Sequence, residues 1–563
     1  MKKVVSVVLA LIMTFSLFGV VASAESQELV IAVANDMHYN LKASTAVTKR
    51  NSIDKDFFHI GSSGRLVNES VAIISAFLEN IGNSDCEYVL IPGDFTETGS
   101  KEESLLFAAM LSDFEAKYNK QVYVVPGNHD LYDLTIDEFR AVFAQFGYNE
   151  AIEKDTASAS YTADLADGYR LIAIDSCEAG ESPYGFDDAR MDWVIAQAEK
   201  AQADGKKPIA MMHHNLIEHF VLGTKIHSGA IVTSGHPDFA EKFAGAGIKY
   251  VFTGHTHDHD IASYTAADGA VIYDVVTASL TGPECPYRVV RFGDEVKFET
   301  KNVDAIDLSL LPDGISENAL KLAESDFIAY SNKATDISYR ILFNSYTSAN
   351  GLKNILKTDD PEMKAIISKV ADKLSEAIRM PLNKENELEE GKSIESIVAK
   401  YDTVIPDSSY TDMLDLAIRV YQAHNLGDEY YPAYTDEVVI ITRSIAAAIS
   451  YALSDVSGEE YAKVLSYLTS LTGFTVPVDY LIYAGDGMKR FEGIEILVAT
   501  ALLPAITEFT VDNAPGDNNV TLPGYAQLVE EEKELSFWDR IVEFFMNIFD
   551  AIRTVFAFLP FWD

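Results

Sequence analysis

The pattern of apolar and polar residues divides the chain at about residue 304. Before that point, apolar runs of strand length alternate with longer segments whose apolar residues recur every three or four positions. This alternation is typical of an α/β or α+β layered domain, in which helices cover a sheet. Strands are predicted at residues 29–34, 88–92, 122–126, 171–175, 208–212 and 250–253, with a closing hairpin at 288–292 and 296–300. Helices are predicted at 67–80, 102–117 and 189–204.

The pattern becomes helical after residue 316. Apolar residues at helical spacing predict helices at 318–331, 360–379, 393–400, 408–423, 435–453 and 459–469. We therefore expect an all-α helical domain over residues 316–510. The next segment, 511–535, is rich in Asn, Asp, Gly, Pro and Glu, which predicts an exposed linker.

The last segment, residues 536–559, has a strongly amphipathic pattern. Phe544, Phe545 and Ile548 belong to its apolar side, and Glu543 and Asp550 belong to its polar side. Its charges argue against a membrane-spanning helix. We predict a terminal amphipathic helix, for which self-association, docking onto the helical domain and contact with a membrane surface all stay open.

The first 24 residues have the pattern of a secretory signal peptide. Lys2 and Lys3 precede an apolar stretch, and Ala22-Ser23-Ala24 supplies the small residues of a cleavage site. The expected location is outside the cell or on the extracellular face of its envelope, and an uncleaved membrane anchor is the alternative. The chain has only three cysteines, so a disulfide framework is not expected. The formal net charge of -42 argues against nucleic-acid polymers as partners.

Five short polar signatures each follow a predicted strand. They are D-x-H at Asp36 and His38, G-D at Asp94, G-N-H-D at Asn128, His129 and Asp130, H-H at His213 and His214, and G-H-x-H at His255 and His257. Ligand sites in open α/β sheets lie at the carboxyl ends of strands, so these side chains should gather there. Carboxylate and amide oxygens mixed with imidazole nitrogens suit Mn, Fe or Zn. The signatures together predict a site for two metal ions that cleaves a phosphate ester.

In this order, the signatures resemble the calcineurin-like metallophosphoesterase superfamily, whose pattern is D-x-H, G-D, G-N-H-(D/E), H and G-H-x-H. The resemblance spans roughly residues 29–300. It implies a metallophosphoesterase β-sandwich flanked by helices over residues 25–304, followed by the helical domain and the terminal helix. It also implies two metal ions per site. The implied ligands are Asp36, His38 and His257 for one ion, Asn128, His213 and His255 for the other, and Asp94 as the bridge.

The resemblance also implies catalytic roles. His129 would contact the phosphate and assist the leaving group, and Asp130 would orient His129. Of the adjacent pair, His213 directly follows the strand and aligns better with the metal ligand, whereas His214 is expected behind it. Four other histidines, His219, His227, His236 and His259, are not assigned to the site.

The chain is similar to bacterial class III cyclic-nucleotide phosphodiesterases with a carboxyl-terminal helical domain. That similarity implies a small phosphodiester substrate, such as a cyclic nucleotide, attacked by a hydroxide that bridges the metals. Two dications, two aspartates and the hydroxide would leave the site at about +1, which attracts a phosphodiester anion. A phosphomonoesterase or nucleotidase would use the same metals. A non-enzymatic surface protein is the third alternative. The loop Gly61-Ser62-Ser63-Gly64-Arg65 is interpreted as a plain connector, although it could contact a phosphate.

Overall fold

The computed structural model describes residues 28–41, 47–177, 186–219, 231–356, 358–427, 429–432, 434–457 and 515–525, with scattered positions between 459 and 498. All described residues up to Gly524 belong to one compact unit. The predicted signal peptide and terminal amphipathic helix lie outside the described residues, as do most of the predicted linker and part of the predicted helix at 459–469.

The described residues form two β-sheets. Their strands are β1 (Leu29–Val33), β2 (Tyr88–Ile91), β3 (Gln121–Val124), β4 (Glu153–Lys154), β5 (Tyr161–Leu165), β6 (Tyr169–Ile174), β7 (Lys207–Met212), β8 (Tyr250–Thr253), β9 (Asp260–Thr265), β10 (Val271–Val276), β11 (Pro286–Phe292), β12 (Glu295–Asn302) and β13 (Asn519–Pro523). The order is β13-β12-β11-β1-β2-β3 in one sheet and β4-β5-β6-β7-β8-β10-β9 in the other.

The centre of each sheet is parallel. Strands β1, β2 and β3 run parallel in the first sheet, and β6, β7, β8 and β10 do so in the second. All five residues of β1 and all four of β2 are buried, which explains their uninterrupted apolar sequences. These parallel strands bring the ends that carry the signatures to the same edge of each sheet.

Aromatic side chains join the two sheets face to face. The ring of Tyr250 on β8 lies 5.7 Å from the rings of both Phe292 and Phe298 in the other sheet. The hydroxyl of Tyr161 on β5 donates to the carbonyl oxygen of Val124 on β3, at 3.0 Å. The architecture is therefore the expected β-sandwich, in a mixed α/β fold.

Helices flank the sheets and dominate the carboxyl-terminal half. The described helices are α1 (Ser70–Gly82), α2 (Lys101–Tyr118), α3 (Ile136–Val142), α4 (Asp188–Ala203), α5 (Val232–Gly235), α6 (Phe239–Gly245), α7 (Glu317–Ser325), α8 (Phe327–Thr347), α9 (Ala349–Ile355), α10 (Pro361–Ile378), α11 (Ile394–Ala399), α12 (Met413–Leu426) and α13 (Asp436–Ala452). None of the helices in this described part of the chain is both long and apolar enough to cross a bilayer.

The single helix predicted at 318–331 is two helices. Asp326 adopts an extended backbone conformation between α7 and α8 and its side chain accepts a hydrogen bond from the Ala329 amide. Asp326 therefore ends one helix and caps the next, because a short carboxylate satisfies the free amides at a helix start. The apolar spacing continues across this break and does not show it.

Helices α10 to α13 share a hydrophobic core of their own. Ile366 of α10, Leu416 of α12 and Ile440 of α13 are among its buried residues. Hydrogen bonds connect this helical region to the sandwich, and Asn518 Nδ2 donates to the Leu426 carbonyl at 2.9 Å. The predicted linker differs from the structure at 519–523, which form β13 and pair with β12. The polar composition of this segment conceals an edge strand, whose outer positions remain exposed.

A buried histidine side chain bridges carboxylates on two strands of the second sheet. The imidazole of His219 lies between two carboxylates, contacting Asp260 on β9 through Nδ1 and lying 3.4 Å through Nε2 from Asp274 Oδ2 on β10. Burial alone would lower the pKa of His219, but Asp260 and Asp274 raise it to about 10. The charged imidazolium therefore stabilises the fold.

We predict that this ion cluster makes stability depend on pH. The folded pKa of His219 is raised above its ordinary value of 6.5, so its contribution is complete below about pH 6.5 and is lost as pH rises towards 10. His219→Gln should lower the free energy of unfolding by about 3 kcal/mol at pH 6 and by clearly less at pH 10. Urea unfolding at both pH values measures this difference. An equal decrease in the free energy of unfolding at both pH values would contradict a charged His219.

Candidate metal centre

Five of the predicted ligands have a strained backbone. Asp36, His38, Asp94, His255 and His257 adopt positive φ angles of 49°, 47°, 49°, 71° and 63°. Residues other than glycine rarely enter this left-handed region, and such strain concentrates at functional sites. Each of the five lies just after β1, β2 or β8. The tight turns bend these side chains into one volume at the sheet edge.

The first group of ligand atoms lies beyond β1 and β8. His257 Nε2 is 3.3 Å from Asp36 Oδ1 and 3.4 Å from His38 Nε2, and His38 Nε2 is 3.9 Å from Asp36 Oδ1. An ion bound at about 2.0–2.2 Å from nitrogen and oxygen ligands requires such separations. The three side chains can therefore surround one ion.

The second group lies beyond β2, β3, β7 and β8. His213 Nε2 is 3.2 Å from Asn128 Oδ1, 3.4 Å from Asp94 Oδ2 and 3.0 Å from His255 Nδ1. One histidine nitrogen therefore faces a carboxylate, an amide oxygen and another imidazole. This mixture of oxygen and nitrogen ligands suits the transition metals and zinc predicted from the sequence.

Asp94 lies between the two groups. One possible ligand set combines Asp94 with His213 and His255, and another combines it with His38 and His129. A carboxylate shared in this way is placed to bridge two ions. The chemistry of the site fits them, because Asp36 Oδ1 is buried and has no hydrogen-bond partner among the described residues.

The charges and the burial of the site shift the pKa values of its histidines in different directions. Burial alone would raise the pKa of Asp94, but His213 holds it well below its usual range. Asp94 in turn raises the pKa of His213 to about 9, although burial opposes this. Burial and the charge on His213 lower the pKa of His255 to about 3, and burial and Arg65 lower that of His38 well below its ordinary value. His38 and His255 are therefore neutral, the form that binds a metal.

His129, the third residue of the G-N-H-D signature, faces the same centre. Its backbone amide donates to Asp94 Oδ1 at 2.8 Å, and its Nδ1 lies 2.7 Å from the carbonyl oxygen of Glu97. This contact assigns the proton to Nδ1, because the carbonyl can only accept. Nε2 of His129 lies 4.0 Å from Asp94 Oδ2 and is directed towards the centre.

Asp130 does not take the orienting role that the family pattern implies. Its buried carboxylate accepts hydrogen bonds from the Gly127 amide and from the amide and hydroxyl of Thr96, at 2.7–2.9 Å. Burial and the charge of Asp94 raise its pKa to about 7. Asp130 therefore joins the two loops that carry Asp94 and Asn128, while the Glu97 carbonyl orients His129.

His213 and His214 point in different directions. His213 Nδ1 is 3.0 Å from the carbonyl oxygen of Pro92, which leaves Nε2 to face Asp94 and Asn128. His214 lies behind it, with Nδ1 3.0 Å from the Ser176 hydroxyl. Only His213 belongs to a group of possible metal ligands in the described residues.

We expect the two histidines to differ sharply on mutation. His213→Gln should lower bound metal by about one ion per chain and reduce kcat/KM by roughly 100-fold or more, because one ligand is lost from the second group. His214→Gln, the matched control, should retain both ions, and its kcat/KM should fall tenfold or less. Elemental analysis and hydrolysis assays measure both effects. The opposite order would identify His214 as the ligand.

Several residues around the centre have no distinctive sequence signal. Asn35 Nδ2 contacts the carboxylate of Asp36 and also donates to the Thr277 carbonyl at 3.0 Å. Ser279 Oγ donates to the Asp36 carbonyl at 2.7 Å. Tyr132 is 49% exposed, and its ring lies 4.8 Å from that of His129. The contacts of Asn35 with Thr277 and of Ser279 with Asp36 join residues that are distant in the chain, so spacing alone could not show them.

The other histidines lie elsewhere. His236 stacks on Phe239, and His259 Nε2 is 2.8 Å from the Thr300 hydroxyl. His219 belongs to the ion cluster of the second sheet described above. His227 lies outside the described residues.

The helical region contacts the loop that carries His257. Asn425 Nδ2 on α12 donates to the His257 carbonyl at 3.0 Å, and the hydroxyl of Tyr339 on α8 donates to Asn425 Oδ1 at 3.0 Å. His424 Nε2 is 3.2 Å from Asp258 Oδ1. Helices α8 and α12 therefore support the metal centre from outside the sandwich.

A family model matches the part of the chain that carries the site. Residues 29–259 match the family model described as calcineurin-like phosphoesterase. This part of the chain is therefore similar to calcineurin-like phosphoesterases, and it carries the Asp and His side chains that form groups of possible metal ligands. Among curated proteins, none is significantly similar to the chain.

Solved structures with similarity to the chain include three hydrolases. A dimetal phosphatase from Danio rerio has 10% identity and a TM-score of 0.36 over 49% of this chain and 97% of its own. A purple acid phosphatase from yellow lupin has 11% identity and a TM-score of 0.34 over 49% of this chain and 52% of its own. A putative 5'-nucleotidase from Staphylococcus aureus has 15% identity and a TM-score of 0.32 over 53% of this chain and 57% of its own.

Proposed function

We propose that the protein hydrolyses a small phosphodiester, such as a cyclic nucleotide, at a centre of two metal ions. The observation that carries the proposal is the position of Asp94 between two groups of ligand atoms. Asp36, His38 and His257 would hold one ion, and Asn128, His213 and His255 would hold the other. The identity of the ions is one of Mn, Fe and Zn, from the mixed oxygen and nitrogen ligands.

A centre with two bound ions would supply activation of water and neutralisation of charge on the attacking and leaving oxygens. The residues of the chain do the remaining work. His129 presents Nε2 to the centre while the Glu97 carbonyl fixes the proton on Nδ1. When His129 is protonated at both nitrogens, Nε2 can donate a proton to the departing alkoxide. Asp130 keeps the loops of Asp94 and Asn128 together, so that neither ligand moves during the reaction.

Charge supports a phosphodiester over a more highly charged ester. With two divalent ions, Asp36, Asp94 and one hydroxide, the centre would carry a net charge of about +1. Arg65 and Glu97 lie beside His38 and add one charge of each sign, so the net charge of the centre stays the same. A diester carries a single negative charge and therefore neutralises the site.

Hydrolysis of two model esters tests the proposal. The purified protein should cleave bis-p-nitrophenyl phosphate faster than p-nitrophenyl phosphate when Mn²⁺ is present, and chelator should abolish both rates. That result justifies a screen of cyclic nucleotides. A faster rate with the monoester would identify a phosphomonoesterase or nucleotidase instead. No hydrolysis of either ester with Mn²⁺, Fe²⁺ or Zn²⁺ would contradict the proposal.

We also propose that the protein acts outside the cell or on the extracellular face of its envelope. The basic start, apolar stretch and Ala22-Ser23-Ala24 of the first 24 residues support this location. The acidic chain favours a small phosphate ester over a nucleic-acid polymer. Residues 536–559 would mediate self-association or contact with a membrane surface. Sequencing the amino terminus of the protein from culture medium and from cells tests the export, which predicts a chain that begins after Ala24.

A further inference from the structure

An arginine outside the five signatures reaches the metal centre. Arg65 ends the loop 61–65, and its side chain is only 12% exposed. Its Nη1 lies 2.8 Å from Nδ1 and 2.5 Å from Nε2 of His38, and its Nη2 lies 3.6 Å from Glu97 Oε1. The guanidinium therefore lies against one of the proposed metal ligands.

The present partners of Arg65 do not use its hydrogen-bonding capacity. A guanidinium carries five N–H donors and no acceptor, and its planar shape matches two oxygens of a phosphate. Arg65 Nε is buried and has no hydrogen-bond partner within the described parts of the chain. The ring of His38 offers at most one lone pair when neutral, whereas a phosphate offers several charged oxygens. Arg65 thus brings unsatisfied donors to the place where an anion would bind.

Helix α8 holds the loop that carries Arg65. The Gly64 amide donates to the Ser338 hydroxyl at 2.7 Å, and this hydroxyl donates to the Gly61 carbonyl at 2.8 Å. Gly64 has a φ of 73°, and a Cβ atom there would lie 2.7 Å from the ring of Tyr339. Only glycine fits this contact, so the loop is fixed against the helix directly before Arg65.

We propose that Arg65 binds the phosphate oxygens of the substrate, and that α8 positions it at the metal centre. This inference rests on the proposed function, since it names a further contact to the same ester. An ion bound by His38 would take the lone pair that now faces Arg65, which leaves the guanidinium to donate to a phosphate oxygen. The helical region then contributes to substrate binding by holding the 61–65 loop.

Replacing Arg65 tests the substrate contact. In the full chain loaded with Mn²⁺, Arg65→Gln should raise KM for bis-p-nitrophenyl phosphate roughly 10- to 100-fold, because charge-assisted hydrogen bonds are lost. The dissociation constant of inorganic phosphate, measured by calorimetry, should rise by a similar factor. Bound metal should stay at the wild-type level. Arg65→Lys should recover part of the loss, because it restores the charge without the planar pair of donors.

A nearby lysine supplies the matched control. Lys333, also on α8, pairs with Asp54 at 3.3 Å and is 45% exposed. Lys333→Gln removes a positive charge from the same helix but leaves the hydrogen bonds to the 61–65 loop in place, and should leave KM and phosphate affinity unchanged. Unchanged KM and phosphate affinity in Arg65→Gln would overturn the proposal. A loss of bound metal from Arg65→Gln would also overturn it, because the arginine would then act on the centre itself.

Ser338→Ala tests the role of the helix. Loss of its two hydrogen bonds should raise KM about tenfold while metal content and the midpoint of thermal unfolding stay near wild type. A KM equal to that of wild type would overturn the positioning role of α8.

Phosphate binding separates the two proposals. If the wild-type chain cleaves no ester but binds phosphate less tightly after Arg65→Gln, the hydrolytic function fails and the arginine contact stands.

Discussion

Asp94→Asn should remove most of the activity and at least one of the two metal ions. The side chain lies between the two ligand groups. A neutral amide at this position should therefore weaken the binding of both ions at once. We expect kcat/KM to fall by at least roughly a thousandfold, which corresponds to about 4 kcal/mol of lost transition-state stabilisation. Elemental analysis and the diester assay measure the two effects in the same preparation.

Asp175→Asn is the matched control for that experiment. Asp175 is also a buried aspartate directly after a strand, but it accepts hydrogen bonds from the amides of Ala159 and Cys177 and is outside the possible metal-ligand groups of the described residues. Its substitution should cost stability and leave both ions in place. Full metal content and full turnover in Asp94→Asn would contradict the bridging role.

His129→Gln should affect poor leaving groups far more than good ones. A departing alkoxide needs a proton, whereas p-nitrophenolate leaves readily without one. We expect the rate for an alkyl ester, such as a cyclic nucleotide, to fall roughly 100- to 10,000-fold. The rate for bis-p-nitrophenyl phosphate should fall about tenfold. Steady-state assays with both substrates and a fixed metal concentration measure the ratio.

His236→Gln is the control for the leaving-group experiment, because His236 stacks on Phe239 away from the centre. Both rates should stay at the wild-type level in that variant. An equal loss for the two substrates in His129→Gln would exclude proton donation and leave His129 with a binding role alone.

The sequence predicts the central strands and the convergence of the signatures well, for a physical reason. Parallel strands buried on both faces need uninterrupted apolar runs, and β1 and β2 show them. The D-x-H, G-D and G-H-x-H residues follow these runs directly, so the sheet edge collects them. The β-sandwich itself followed from the resemblance to the superfamily, not from periodicity.

The residues around the ligands depend on contacts between distant parts of the chain. Arg65 reaches His38 because α8, more than 260 residues later, holds the loop in front of it. Glu97 orients His129 through a backbone carbonyl, which has no sequence signature at all. Edge strand β13 was concealed by a polar composition that is equally typical of linkers. Such features depend on tertiary packing, which local patterns do not encode.

The most direct test of the two-metal account is a metal titration. Chelator-treated protein is supplied with increasing Mn²⁺, and bound metal and hydrolysis of bis-p-nitrophenyl phosphate are recorded at each step. If the site needs both ions, the rate reaches its maximum only when two ions are bound per chain. A full rate with one ion per chain, or with none, would contradict it.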